Sequence, residues 1–518
     1  MGTGGRMPAS LASSLASPTS AQRLRPQPAA PGPCQEPDAN PTAGARSEAG
    51  SEPAPHLAPF ASPLPGDPEL EGFLTDAVRL LSCWIGSSAS AAPLPALSVL
   101  PSPEPQGQGL SRQQLLSDLQ QVMEGAYRPH HPGALAHLDP PPLTASIAAE
   151  LIGAGINNNL LAEELSPSLS RLERSLCAWL ATSLGLPEGA GGVAASGGSL
   201  SNLMALVTAR HHAGLGCDNR AVVVCSSDAH VSLQKALVVM GLPADSLIRV
   251  PVDERGALRI EALATTLAAL EQAGRPVLAV VATAGTTVRG AIDPLAAMAG
   301  LCRGRGLWLH VDGAIGALFG LLPEPPPELM GLGLADSLTV NPQKLLGVTK
   351  TSSLLLLAEP DRLGQTFGTG LPYMEPSWGG GHGGEAGLQG SRPAEVLKLW
   401  LGLRHLGLQG IHTLLLAAQA RCRQLEALLA ADDRLLLRGG PLHLVAFRPR
   451  QADAGGCAAW SARTRQLLLD HQLMLSRPQY QGLHHLKAVL GNPHTGEAEL
   501  RQLSDLVRRS LDLEAPHG

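Results

Sequence analysis

The sequence predicts an α/β fold. A large domain on a mainly parallel sheet is followed by a small C-terminal α+β domain and preceded by an N-terminal helical arm. Three observations carry this expectation. Short apolar, β-branched runs recur at 221–225, 247–251, 277–282, 307–312 and 337–340, the signature of buried strands. Segments with apolar residues at helical spacing alternate with them, as at 260–273, and strand–helix alternation at these lengths argues for parallel pairing with helices on both faces. Finally, 518 residues with 44% hydrophobic content supply a large core and more than one domain.

Residues 1–65 are rich in Pro, Ala, Ser and Gly without hydrophobic period and read as a disordered tail. Its first 35 residues hold Arg6, Arg23 and Arg25 and no acid, a bias that an organelle import signal shares with a plain disordered tail. Residues 66–130 form the helical arm. Leu70, Phe73, Leu74, Ala77, Leu80 and Leu81 predict a helix over 68–84, and a second follows a Pro/Ser linker at about 111–125. The large domain is placed at 131–404. Within it, 364–390 is so Gly-rich that it reads as a mobile lid. The small domain is placed at 405–518, with strands at 442–448 and 486–490 and a last helix from about 495.

Composition excludes several classes. A net charge of −6 without a basic run gives nucleic acid no footprint. Eight scattered cysteines form no CxxC pair, so neither a zinc site nor a disulfide framework is indicated, and reduced thiols in a cytoplasmic protein are the default. No apolar window is long enough to cross a bilayer.

The chemistry centres on Lys344. Lysine accounts for five of the 38 basic residues, and one of the five follows the apolar run 338–340, just past the strand-breaking Asn341-Pro342. Burial at a strand end disfavours the ammonium and frees the amine to form a Schiff base. Asp312 ends another apolar strand, followed by the small Gly313 and Ala314. An acid there points into the crevice where open α/β sheets bind ligands. A lysine that carries an aldehyde and an aspartate that keeps a pyridine nitrogen protonated are what pyridoxal 5'-phosphate (PLP) requires, and Ala314 leaves room for its flat ring. A Gly/Ser loop at 191–199, running into an apolar-periodic helix, offers backbone N–H groups to a phosphate. It fits neither GxGxxG nor the Walker loop. His230 follows the strand 221–225, placed to lie on a cofactor ring. The hydroxyls of Thr283-Ala-Gly-Thr-Thr287 follow the strand 277–282.

His-Val-Asp-Gly-Ala at 310–314 and Asn-Pro-Gln-Lys at 341–344, with Lys344 32 residues after Asp312, resemble the group II PLP-dependent amino-acid decarboxylases. The resemblance spans roughly residues 70–510 and implies PLP-dependent transferase fold type I. The loop ending at Ser199 resembles the family's TSGGSxAN, with Gly198 and Ser199 against the phosphate. The segment 283–293 resembles TxGTTxxGAxD, with Thr287 near the cofactor and Asp293 capping the next helix. His230 matches the histidine stacked on the ring. Tyr373 matches the lid tyrosine that protonates the substrate carbanion, and Arg392 the arginine that forks onto the substrate carboxylate. His137, in the Pro-rich stretch 129–142, falls where the family lines its side-chain pocket. Asn341 and Gln343 belong to the lysine motif, but the family usually has histidine at 343. Glutamine still donates to a phosphate and carries no proton at neutral pH.

The resemblance implies a carboxy-lyase of amino-acid and carboxylic-acid metabolism that acts as a homodimer. Ala134, Leu135, Ala136 and His137 stand where the family often places aromatics, so stacking is weak and a small polar or acidic substrate such as 2,4-diaminobutyrate, glutamate or aspartate ranks above an aromatic one. Another fold-type I enzyme (an aminotransferase or an aldolase-type lyase) and a scaffold without activity are the alternatives.

Overall fold

A computed structural model describes residues 60–63, 65–97, 99–105, 107–371, 378–379 and 381–512. The chain divides into two units, 1–67 and 68–518. In the first, residues 1–59 and with them most of the expected tail lie outside the described residues; Ser62 N–H donates to the Asp67 carboxylate at 2.7 Å.

The second unit opens with the two predicted helices, α1 (Pro68–Gly86) and α2 (Arg112–Glu124). Ser111 and Gln114 form a reciprocal capping box that starts α2. Arg112 reaches back to Glu69 and Asp76 of α1. Helices α3 (Thr144–Ile156) and α4 (Pro167–Ser183) lead to the central sheet. Its first strand is β1 (Gly191–Ala195), then α5 (Gly198–His212), β2 (Val222–Ser226), α6 (Ser232–Val239), β3 (Leu247–Val250), α7 (Ile260–Gln272), β4 (Val277–Thr283), α8 (Leu295–Arg303), β5 (Leu309–Asp312), β6 (Ser337–Val340) and β7 (Ser353–Leu357).

The spatial order is β1-β7-β6-β5-β4-β2-β3. The pairs from β3 to β6 are parallel, while β7 runs antiparallel to both β6 and β1. The sheet is buried on both faces, which is why its strands read as unbroken apolar runs. Val222, Val224, Val280, Ala282, Leu354 and Leu356 pack into the core on one face; Val223, Cys225, Ala279, Val281, Leu355 and Leu357 pack into the core on the other.

One expectation changes here. Residues 191–195 are strand, and the loop shrinks to Ser196-Gly197. Gly192 serves close approach: a Cβ there would stand 2.0 Å from the Leu355 carbonyl oxygen, which no side chain tolerates.

After α9 (Asp361–Phe367) the chain enters α10 (Val396–Ala430), broken at Gly407, where φ is +60°. The remainder comprises β8 (Leu435–Gly439), β9 (Leu444–Pro449), α11 (Ala454–Asp470), the hairpin β10 (Gln479–Tyr480) and β11 (Leu483–His484), β12 (Leu486–Val489) and α12 (Glu497–Asp512). Strands β12-β9-β8 form an antiparallel sheet with a core of its own, which includes Phe447, Trp460 and Leu503. Leu135, far upstream, is part of that core.

The Gly-rich segment is less free than its composition suggests. Glu385 accepts from the N–H groups of Thr369 and Gly370, and Gly384 N–H donates to Leu161 O.

Candidate active site

The carboxyl ends of β4, β5 and β6, together with the start of α5, surround a cavity of about 220 Å³. It is the crevice outside the strand ends where open α/β sheets place ligands. Lys344 and Asp312 both line it. Lys344 sits not on the strand but on a short 3-10 turn, Pro342–Lys344, that β6 runs into. Burial pushes its amine below the usual lysine range, against the pull of Asp312 and Asp139. Asp312 is the last residue of β5 and 6% exposed. Its Oδ2 accepts from Asn202 Nδ2 at 2.8 Å and its Oδ1 from Ala314 N–H at 3.2 Å.

His230, Thr287, Ala314, Asn341 and Gln343 line the same cavity, as do Gly198 and Ser199 at the start of α5. The N–H groups of Leu200 and Ser201 bond back to Gly197 O. Gln343 is fixed by accepting Ser352 N–H at 2.7 Å, and the Asn341 amide meets Ser353 Oγ at 2.8 Å. His230 is held below the usual histidine range, first by burial and then by Lys344 and Lys235, with Asp312 opposing.

Other sequence-predicted residues fall elsewhere. His137 lines a neighbouring cavity of about 570 Å³ that shares Gln343 with the first. Ala134, Leu135 and Ala136 are buried in packing, so the polar groups of that segment at the cavity are His137 and Asp139, beside Pro129, Pro140 and Pro142. Arg392 does not reach the cofactor cavity. Its guanidinium is closed by Glu173 in a two-pronged pair at 2.5 and 2.6 Å, both side chains about 5% exposed. A buried carboxylate already occupies the fork on which the expectation of a substrate clamp relied. Asp293 does not cap α8. Its two oxygens take the N–H groups of Leu258 and Thr283, each at 2.8 Å, and thereby secure the end of β4. Tyr373 lies outside the described residues.

Sequence reasoning missed three residues. Asn202 lines the cavity together with Thr283. Asn202 lies one helical turn past Gly198, a spacing that carries the signal in hindsight. Lys487, on β12, is 6% exposed and donates to Thr287 O at 3.2 Å. Burial, aided by Lys344, lowers its pKa to about 8. Its distance along the chain hid it. Asp139 lines the neighbouring cavity and pairs with Lys350 at 3.1 Å.

These residues fit PLP. The Thr283 hydroxyl is buried, lines the cavity and has no hydrogen-bond partner. A Cβ on Gly198 would stand 3.0 Å from the Asn341 amide, so glycine keeps the phosphate end open. An amine, a fixed carboxylate and a helix N-terminus around one flat space match the aldehyde, ring nitrogen and phosphate of the cofactor.

Fold and site together define a PLP-dependent enzyme of fold type I. The model of the pyridoxal-dependent decarboxylase conserved domain matches residues 97–450, and the chain belongs to that family: it is a PLP-dependent amino-acid decarboxylase. It is 31% identical over 404 residues to L-2,4-diaminobutyrate decarboxylase of Rhizobium meliloti, covering 76% of this chain and 79% of that one. It is 30% identical over 383 residues to aromatic-L-amino-acid decarboxylase of Bacillus atrophaeus, covering 72% and 80%. Among solved structures, mouse CSAD in apo form superposes with a TM-score of 0.78 at 26% identity, covering 85% of this chain and 99% of that one. Among the described residues no helix is long and apolar enough to cross a membrane.

Proposed function

We propose that this decarboxylase acts on a small L-amino acid with a polar side chain, 2,4-diaminobutyrate before glutamate or aspartate. The observation that carries the choice is the pair Asp139–Lys350 in the cavity beside Lys344. The Lys350 side chain is 60% exposed and that of Asp139 28%. So open a pair is worth about 0–1 kcal/mol, and Lys350 can swing into water. Asp139 then remains as an anion suited to a distal ammonium. Tyr127, which lines the same cavity, is pushed up to about 12 by burial and by Asp139 and stays neutral.

When bound, PLP supplies an aldehyde carbon that takes up an amine and a ring that accepts the electron pair left as CO2 departs. Lys344, its pKa lowered by burial, offers the amine that would hold the cofactor. Asp312, held at both oxygens, keeps negative charge against the ring nitrogen. His230 covers a ring face. Ser199, Thr287, Asn341 and Gln343 bind at the phosphate end. Lys487, buried and bonded to Thr287 O, takes the substrate carboxylate in place of Arg392. Tyr373 returns the proton to the α-carbon, as the family resemblance implies. We also infer a homodimer: Leu70 and Val78 on α1 and Leu115, Leu119 and Val122 on α2 are exposed apolar residues that suit a second copy.

The test is CO2 release from a panel of diaminobutyrate, glutamate, aspartate, cysteine sulfinate and aromatic amino acids. We expect the highest kcat/KM with diaminobutyrate, and an Asp139→Asn variant that loses that preference. A best substrate that is aromatic overturns the reading.

A further inference from the structure

We propose that Asn202 is a positioning residue that sets two active-site groups at once: it fixes the Asp312 carboxylate and, through Ser232, keeps the proton of His230 on Nε2. The proposal rests on the roles of Asp312 and His230 given above.

The side chains form one continuous hydrogen-bonded chain. Trp308 Nε1 donates to Ser337 Oγ at 2.9 Å, and Ser337 Oγ meets His310 Nδ1 at 2.9 Å. His310 Nε2 meets Asn202 Oδ1 at 3.1 Å. Asn202 Nδ2 contacts both Asp312 Oδ2 at 2.8 Å and Ser232 Oγ at 2.9 Å, and Ser232 Oγ meets His230 Nδ1 at 2.9 Å. Asn202, Ser232, His310, Ser337 and Thr339 are each at most 1% exposed, so bulk water does not compete.

The two ends dictate every proton between them. An ionised Asp312 only accepts, so Asn202 must turn its NH₂ toward it. Asn202 Oδ1 then faces His310 and accepts, while Thr339 Oγ1 donates to the same oxygen at 2.8 Å. His310 must therefore carry its proton on Nε2. Burial lowers its pKa to about 4, so it holds no second proton at neutral pH. Its Nδ1 accepts from Ser337, which needs Ser337 to accept in turn from a pure donor, and the Trp308 indole is one. On the other branch, the second hydrogen of the Asn202 amide goes to Ser232 Oγ. The Ser232 hydroxyl must then donate to His230 Nδ1, which also accepts Ser232 N–H at 3.2 Å. The His230 proton is left on Nε2. Rotating the Asn202 amide by half a turn would set its oxygen against the carboxylate and its NH₂ against two donors.

The test uses the full chain labelled with ¹⁵N-histidine. Two-bond ¹H–¹⁵N spectra report each tautomer, and difference spectra of His230→Asn and His310→Gln assign the two rings. Wild type is expected to show Nε2–H at both; Ser232→Ala removes the hydroxyl but keeps the residue-232 N–H toward His230 Nδ1, and is expected to raise the Nδ1–H share at His230 only in part. Asn202→Ala is expected to weaken PLP binding, read by equilibrium dialysis, by about 10- to 100-fold, the range lost with outer hydrogen-bond partners of ligand-holding groups. His310→Gln keeps a donor toward Asn202 and is expected to stay within about threefold of wild type. An Nδ1–H tautomer at His230 in wild type overturns the proposal, as does a folded Asn202→Ala with wild-type PLP affinity. If Asn202→Ala fails to fold, the wild-type spectrum decides alone. If wild type takes up no PLP, the functional reading fails, while the tautomers still judge this proposal.

Discussion

At the scale of single residues, environment rather than identity makes the site. Lys344 differs from Lys350, six residues on, in being half-buried with a depressed pKa, whereas the Lys350 side chain is 60% exposed. Lys344→Ala is expected to lower kcat by about a thousandfold or more, as loss of a covalent catalyst does, with PLP no longer retained through gel filtration. Lys487 must be an ammonium to hold a carboxylate, and its pKa lies at about 8. KM is therefore expected to rise as pH passes upward through that value, and Lys487→Arg to remove this alkaline limb in a pH series of initial rates. His443 is fully buried against Phe319, with both ring nitrogens unpartnered. Burial, then Arg421 and Lys487, lowers its pKa from 6.5 to about 3. Between those values the unfolded chain binds a proton that the folded chain refuses, so stability falls as pH drops below 6.5. Denaturant unfolding across that window is expected to show a shallower loss in His443→Phe.

Among the elements, the strand ends were legible and the joints were not. Asp312, His230 and Thr287 could be placed because an apolar run that stops at a polar residue marks the rim of a buried sheet. The role of Gly192 could not be read, since a glycine that permits close backbone approach looks the same as one in a turn. The ion pair of Arg392 could not be read either: its partner Glu173 lies on α4, 219 residues away, and no local pattern announces a long-range pair. That pair joins α4 to the segment before α10. Breaking one side leaves a buried, uncompensated charge, so Glu173→Ala is expected to cost about 3–5 kcal/mol in urea unfolding, while replacing both by leucine costs less.

At the scale of the molecule, the alternation of strands and helices announced the α/β class, but the three-stranded C-terminal sheet could not be tied to the active site from sequence. The structure ties it through Lys487 of β12, which reaches Thr287 O, and the neighbouring hairpin adds a second tie, the Tyr480 hydroxyl donating to Asp228 Oδ2 at 2.7 Å. A ligand held from several elements stabilises all of them. PLP at about 100 times its Kd is expected to add about 2.7 kcal/mol to the folded state, visible as a rise in Tm of the apo-protein on titration.

The sheet order also bears on how the protein is made. Strand β1, which leads into the phosphate end of the site, pairs only with β7, a segment 158 residues later. A nascent chain that has emerged as far as Lys344 still lacks the template on which β1 docks. Docking of β1 is thus a late event in biogenesis: the ribosome must deliver residue 357 before that edge of the sheet can close.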